Sequence, residues 1–158
     1  MDRATRLRPV TWIGSSRHEL ASFPKPVRRD MGQALYVAQR GDTDLAAKPL
    51  KGFGGARVME IVDRHDTNTY RAVYAVQFAE AIYVLHAFQK KSTKGIATPQ
   101  REIDLIHRRL AAAEQHHKER RKAHGEKDDW HQRLSGALGT CSLTLVSHIQ
   151  SSNGSRQP

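Results

Sequence analysis

One cysteine, Cys141, excludes an internal disulfide and suits a reducing compartment. No apolar run approaches the roughly 20 residues needed to span a bilayer, and the first residues lack the apolar core of a signal peptide. A cytoplasmic protein with no membrane partner is therefore expected. No internal repeat is visible, and the glycines have none of the fixed spacing of a Walker loop. Acidic residues are scarce as well: 16 Asp and Glu face 26 Lys and Arg, a formal charge of +10. That excess fits a polyanionic partner such as nucleic acid, or an acidic protein. A chain of 158 residues can bury a sizeable core.

The most ordered stretch is YRAVYAVQFAEAIYVLHAFQKKS, residues 70–92. Two runs rich in Val, Ile and aromatics, 70–78 and 82–88, are separated by Ala79-Glu80-Ala81. Side chains of this kind suit a pleated, half-buried surface. The short gap predicts an antiparallel hairpin, since a parallel partner needs a long crossover. The hairpin sets Arg71 near Lys90 and Lys91, a compact positive cluster on a rigid sheet.

Before that stretch, residues 9–13 (PVTWI) read as a first or edge strand. Ser16 and Glu19 have capping-box spacing for a short helix ending at Pro24. Pro26 opens a second helix in which Val27, Met31, Ala34, Leu35 and Ala38 share one face, and Gly41 closes it. Residues 48–55 form a basic, glycine-rich loop whose glycines permit close approach to a phosphate; a plain turn into a strand is the other reading. Residues 56–63 alternate, with Val58, Glu60 and Val62 on one face. Residues 64–69 read as a loop, and Thr98-Pro99 opens a third helix with Ile103, Ile106, Leu110 and Ala113 along one side. From residue 115 the chain turns basic, His-rich and poor in apolar residues, a solvated helix extension or a disordered arm. The expected division is a domain at 1–114 and an extension at 115–158.

This order of elements, with Trp12-Ile13-Gly14-Ser15-Ser16, Lys48-Pro49-Leu50-Lys51-Gly52, Tyr70-Arg71-Ala72-Val73-Tyr74, the run from Ile82 to Ser92, and Thr98-Pro99, resembles the RelE/ParE toxin superfamily. It is more closely similar to the phage-derived Gp49-like, HigB-type branch. The resemblance implies a small α+β RelE-like fold: a curved antiparallel sheet packed against an N-terminal helical hairpin, plus a C-terminal helix. It further implies the toxin of a type II toxin–antitoxin system, held silent by a helix-turn-helix antitoxin. Its expected activity is endoribonucleolytic cleavage of translated mRNA on the ribosome, with no cofactor. ParE relatives inhibit DNA gyrase on the same fold, and a catalytically degenerate nucleic-acid-binding protein is a third reading.

RNA cleavage by attack of the ribose 2′-hydroxyl needs a base, an acid and donors for the developing phosphorane charge. Arg71, whose planar fork stays charged, is the first candidate to hold the phosphate; an ion pair with Glu60 is the competing reading. Lys90 and Lys91 add charge. Glu60 is either the base or the group that orients Arg71. Lys48, Lys51, Arg57 and Tyr74 are the candidates for substrate binding. The two lysines that RelE relatives carry in the strand before the arginine are missing, since that stretch reads Arg57-Val58-Met59-Glu60-Ile61. His86, inside an apolar strand, reads as a satisfied core histidine, and His107 as a surface one. His117, His124 and His131 recur every seven residues, about 10.5 Å apart along a helix, too far to share a metal ion.

Overall fold

The computed structural model describes residues 6–54, 57–90 and 98–150, with side chains described as far as Gly125. The chain divides into two units, Met1–His116 and His117–Pro158. The elements in order are β1 (Val10–Trp12), α1 (Ser16–Ala21), α2 (Lys25–Gln39), β2 (Ala47–Pro49), β3 (Val58–His65), β4 (Asn68–Ala75), β5 (Ile82–Lys90) and α3 (Gln100–Gln150). The first unit is an α+β fold compatible with a small RelE-like architecture. Its five strands lie in the order β1-β5-β4-β3-β2.

The hairpin expected around Ala79-Glu80-Ala81 is present: β4 and β5 pair antiparallel, with Arg71 opposite Phe88 and Thr69 opposite Lys90. The sheet is mixed, however, because β1 runs parallel to β5, Val10 opposite Ile82. A parallel neighbour needs a crossover, and here everything between Trp12 and Ile82 supplies it. Lys48 and its neighbours, read as loop, form the short edge strand β2 against β3. The expected loop at 64–69 shrinks to two residues. Asp66 and Thr67 take φ of 46° and 63°, and His65 already pairs with Asn68. Positive φ at both central residues matches the twist of a tight hairpin; without glycine there, the turn left no sequence signal.

Alternation along β4 sends side chains to two cores. Tyr70, Ala72 and Tyr74 pack with Phe23, Val27, Met31 and Leu35 of the helical hairpin. Val73 and Ala75 pack with Leu85, Ile106, Leu110 and Ala113 on the opposite face, under α3. The predicted α2 face is the buried one, with Val27, Met31 and Ala38 fully enclosed. Burial on that scale stabilises by about 1.5–3 kcal/mol for each large side chain. In the second unit α3 continues as helix to Gln150, so residues 117–150 are a helical extension.

Candidate active site

The α3-facing side of β3 and β4 carries two buried charges. Arg71 and Glu60 are 4% and 5% exposed. Register places Val62 opposite Arg71 and Val73 opposite Glu60, so the ion pair runs diagonally across the ladder, with Nη1 2.6 Å from Oε2. Lys48, opposite Glu60 in the β2–β3 pairing, brings Nζ within 3.6 Å of the other carboxylate oxygen. Arg71 Nη1 also donates to the Thr98 hydroxyl at 3.4 Å, just before α3 begins. Above these groups opens a cleft of about 620 Å³, lined among others by Lys48, Lys51, Gly52, Glu60, Arg71 and Thr98. Gly52 at φ 93° makes the turn that carries Lys51 to the rim; that conformation is strained for a side-chain-bearing residue.

The two sequence readings of Arg71 are thus both present geometrically: it is ion-paired with Glu60, and it faces a cleft. At 4% exposure its guanidinium lies within the sheet's packing and not on an open surface. Lys90 lies two residues along β5 from Phe88, on Arg71's face of the sheet. Lys91 lies outside the described residues. Arg57 and Tyr74 are not brought to this cleft. Tyr74 alternates to the helical-hairpin face, and both residues line a separate cavity on that side. His107 is exposed and stacks on Phe53, ring centroids 4.1 Å apart. Among the described residues no cluster of His, Cys, Asp or Glu is placed to hold a metal ion, and no helix is long and apolar enough to cross a membrane.

Residues 18–111 match the family described as phage-derived protein Gp49-like (DUF891). The chain belongs to that family. The family is related to the RelE and HigB toxins, which supports a toxin role. No curated protein matches the chain. The Gp49-like span takes in Arg71, Glu60, Lys48 and Lys51, and ends within the α3 segment that covers the sheet.

The same Gp49-like span holds a second buried polar cluster, around His86. A bulge in β5 sets Val73 opposite His86 and Tyr74 opposite Val84, so Leu85 is the extra residue. Leu85 stays in the core while His86 turns toward α1 and α3. Its Nδ1 lies 2.7 Å from Glu19 Oε2 and its Nε2 lies 2.6 Å from Glu102 Oε2. Arg109 donates to Glu19 at 2.9 and 3.0 Å, to the Ser15 hydroxyl at 2.7 Å and to the Leu85 carbonyl at 2.9 Å. Burial works to raise the Glu19 pKa, but hydrogen bonds from Arg109, Ser15, the Ala87 N–H and His86 outweigh it and hold the carboxyl down at about 2. His86 is therefore a satisfied histidine, as its apolar strand implied. Glu102 and Arg109 carry no sequence signal for this role, and Glu19 reads as a capping residue instead, because nothing local marks a bulge. The capping box does not form either: Ser16 donates instead to the Val84 carbonyl at 3.0 Å, and Glu19 serves this junction.

Proposed function

We propose that this Gp49-like protein is the toxin of a type II toxin–antitoxin pair and cleaves mRNA on the ribosome by a metal-independent mechanism. The observation that carries this reading is a buried arginine on the floor of an open cleft, with two lysines at its rim. The attacking group is the ribose 2′-hydroxyl: its oxygen bonds to the adjacent phosphorus as its proton leaves. The P–O5′ bond breaks, giving a cyclic phosphate and a protonated 5′-oxygen. Arg71 donates to the phosphate oxygens on which charge accumulates, the kind of contact that contributes most when water is excluded. Lys48 and Lys51 add positive charge at the rim, and Lys90 extends it from the end of β5, with Lys91 its neighbour in sequence. Glu60 has one oxygen on Arg71 and the other near Lys48. That arrangement suits it to aim the two cations, with proton transfer left to other groups. The cognate partner is a helix-turn-helix antitoxin that masks this cleft.

A gyrase inhibitor built on the same fold acts through a protein-binding surface and has no use for a recessed basic cleft. The two readings separate in one experiment. After a pulse of expression in bacteria, mRNA 5′ ends are mapped while plasmid supercoiling and DNA breaks are followed in the same cells. New internal mRNA ends, absent with Arg71→Lys, are the expected result. Intact mRNA with relaxed or broken DNA overturns the ribonuclease reading in favour of gyrase.

A further inference from the structure

The cavity on the helical-hairpin side of the sheet has about the same volume as the cleft, roughly 620 Å³, within the range of small-molecule sites. It is built from parts that the proposed cleavage does not use. Arg8 is held rigidly: its guanidinium donates to the carbonyls of Ala38 at 2.8 Å, Phe78 at 3.3 Å and Val76 at 3.4 Å. These partners are neutral, and among the described residues no carboxylate pairs with Arg8. Arg57, exposed at the rim, makes no side-chain hydrogen bond or ion pair with any described residue. Tyr74 is 1% exposed, yet its hydroxyl bonds to no described residue. Burial, and the nearby charge of Asp44, push this phenol up to about 12 against the opposing pull of Arg8. It remains a proton donor across the physiological range.

Two cations and a buried donor around one cavity describe an anion site. The rest of the lining describes what the anion is attached to. Met59, Val76 and Pro49 offer apolar surface for a flat body, while Asp42 and Thr43 offer oxygen acceptors at the same wall. We propose that this cavity binds a nucleoside monophosphate. Its phosphate takes hydrogen bonds from Arg57, Arg8 and the Tyr74 hydroxyl, its ribose hydroxyls donate to Asp42, and its base lies against Met59 and Val76. The lining carries Arg8 and Arg57 against Asp42, with Asp44 close to Tyr74, so the anion is held by directed donors and not by net charge, and a neutral nucleoside would leave those donors unused. The sheet separates this site from Arg71, so it is independent of the cleavage reading.

Calorimetric titration of the full chain with AMP, and separately with inorganic phosphate, tests it. AMP is expected to bind about tenfold more tightly than phosphate, the equivalent of ~1.4 kcal/mol from the apolar wall. Arg57→Gln should weaken AMP by about tenfold and Tyr74→Phe by about fivefold, each the loss of one donor to a charged acceptor. Tyr74→Phe keeps the buried ring and removes a hydroxyl that bonds to no described residue, so the fold is expected to stand. Lys51→Gln, in the cleft, should leave AMP affinity unchanged. No AMP binding at millimolar concentration overturns the proposal. So does equal affinity for AMP and phosphate, indifference to both Arg57→Gln and Tyr74→Phe, or loss of binding in Lys51→Gln.

Discussion

Arg71 meets Glu60 diagonally across the β3–β4 ladder, Nη1 to Oε2 at 2.6 Å, with both residues almost wholly enclosed. The cation proposed to hold the phosphate is therefore also part of the interior, and removing it has two consequences at once. Arg71→Ala leaves the buried Glu60 carboxylate to the half-exposed Lys48 alone, a loss of up to about 3–5 kcal/mol. Replacing both partners by apolar residues of similar size is close to neutral in comparable buried pairs. The double variant Arg71→Met/Glu60→Leu should melt within a few degrees of the parent and cut no RNA. Circular dichroism melting with an RNA cleavage assay reads both; a folded double variant with parental cleavage removes Arg71 from the site.

Lys51 stands at the cleft rim without that structural burden. Lys51→Gln should change unfolding free energy by less than about 0.5 kcal/mol, the usual range for surface substitutions. Cleavage should fall about tenfold or more if the lysine stabilises the charged transition state. Paired urea titration and single-turnover cleavage on one preparation separate the two effects.

Two glycines should respond to alanine with opposite signs. Gly14 sits at φ 58°, and an added Cβ would lie 3.2 Å from Arg109 Nε. Gly14→Ala therefore strains the backbone and pushes the guanidinium off Glu19, a loss of about 1–2 kcal/mol. Gly32 lies mid-helix in α2 with nothing within 4 Å of an added Cβ. Gly32→Ala should stabilise by about 0.5–1 kcal/mol through helix propensity and unfolded-state entropy. Denaturant midpoints measure both.

These residues also mark how far the sequence could be read. Periodicity reached α2 and its buried face, and apolar runs reached β3, β4 and β5, because those signals repeat over several turns or alternations. The cleft was half legible: Arg71, Glu60, Lys48 and Lys51 were named from charge on strands and a glycine-rich loop, and they do converge. Tyr74 and Arg57, the other two candidates for substrate binding, do not join them. Tyr74 lies three residues after Arg71 and Arg57 three before Glu60, and an odd spacing along an extended chain sends side chains to opposite faces. The junction at His86 was illegible because it joins residues 15, 19, 86, 102 and 109 through a one-residue bulge, and a bulge shifts facing without changing composition.

Acid should loosen that junction. The Glu19 carboxyl is held at about 2, below its ordinary value of 4.5. A carboxylate depressed in the folded state stabilises fully above its unfolded pKa, and the contribution disappears as pH falls from about 4.5 toward 2. Solvent screening of this partly exposed carboxylate leaves about 1–2 kcal/mol of the full shift as stability. Glu19→Gln should lose about that much at pH 7 and show a flatter decline below pH 4.5 than the parent. Urea unfolding at neutral and acid pH reads the difference; parallel pH profiles would mean that Glu19 carries none of the acid sensitivity.

The extension is open to a direct cut. A chain stopped after Lys118 keeps the whole first unit and should retain a single cooperative melting transition within a few degrees of the full chain. Loss of that transition would place part of the core beyond the cut.

The Glu19–Arg109 pair also decides what can attach to the sheet. β1 covers only three residues of β5. Beyond it, the Leu85 carbonyl accepts from Arg109 and the Ala87 N–H donates to Glu19. Side chains from two helices thus occupy ladder positions that a further strand would take, and an extended peptide arriving there finds its hydrogen bonds already made. Open strand borders are where chains zip together indiscriminately. Along this margin the sheet is sealed against other copies of the chain, and anything docking there must grip side chains, since it cannot lengthen the sheet at that edge.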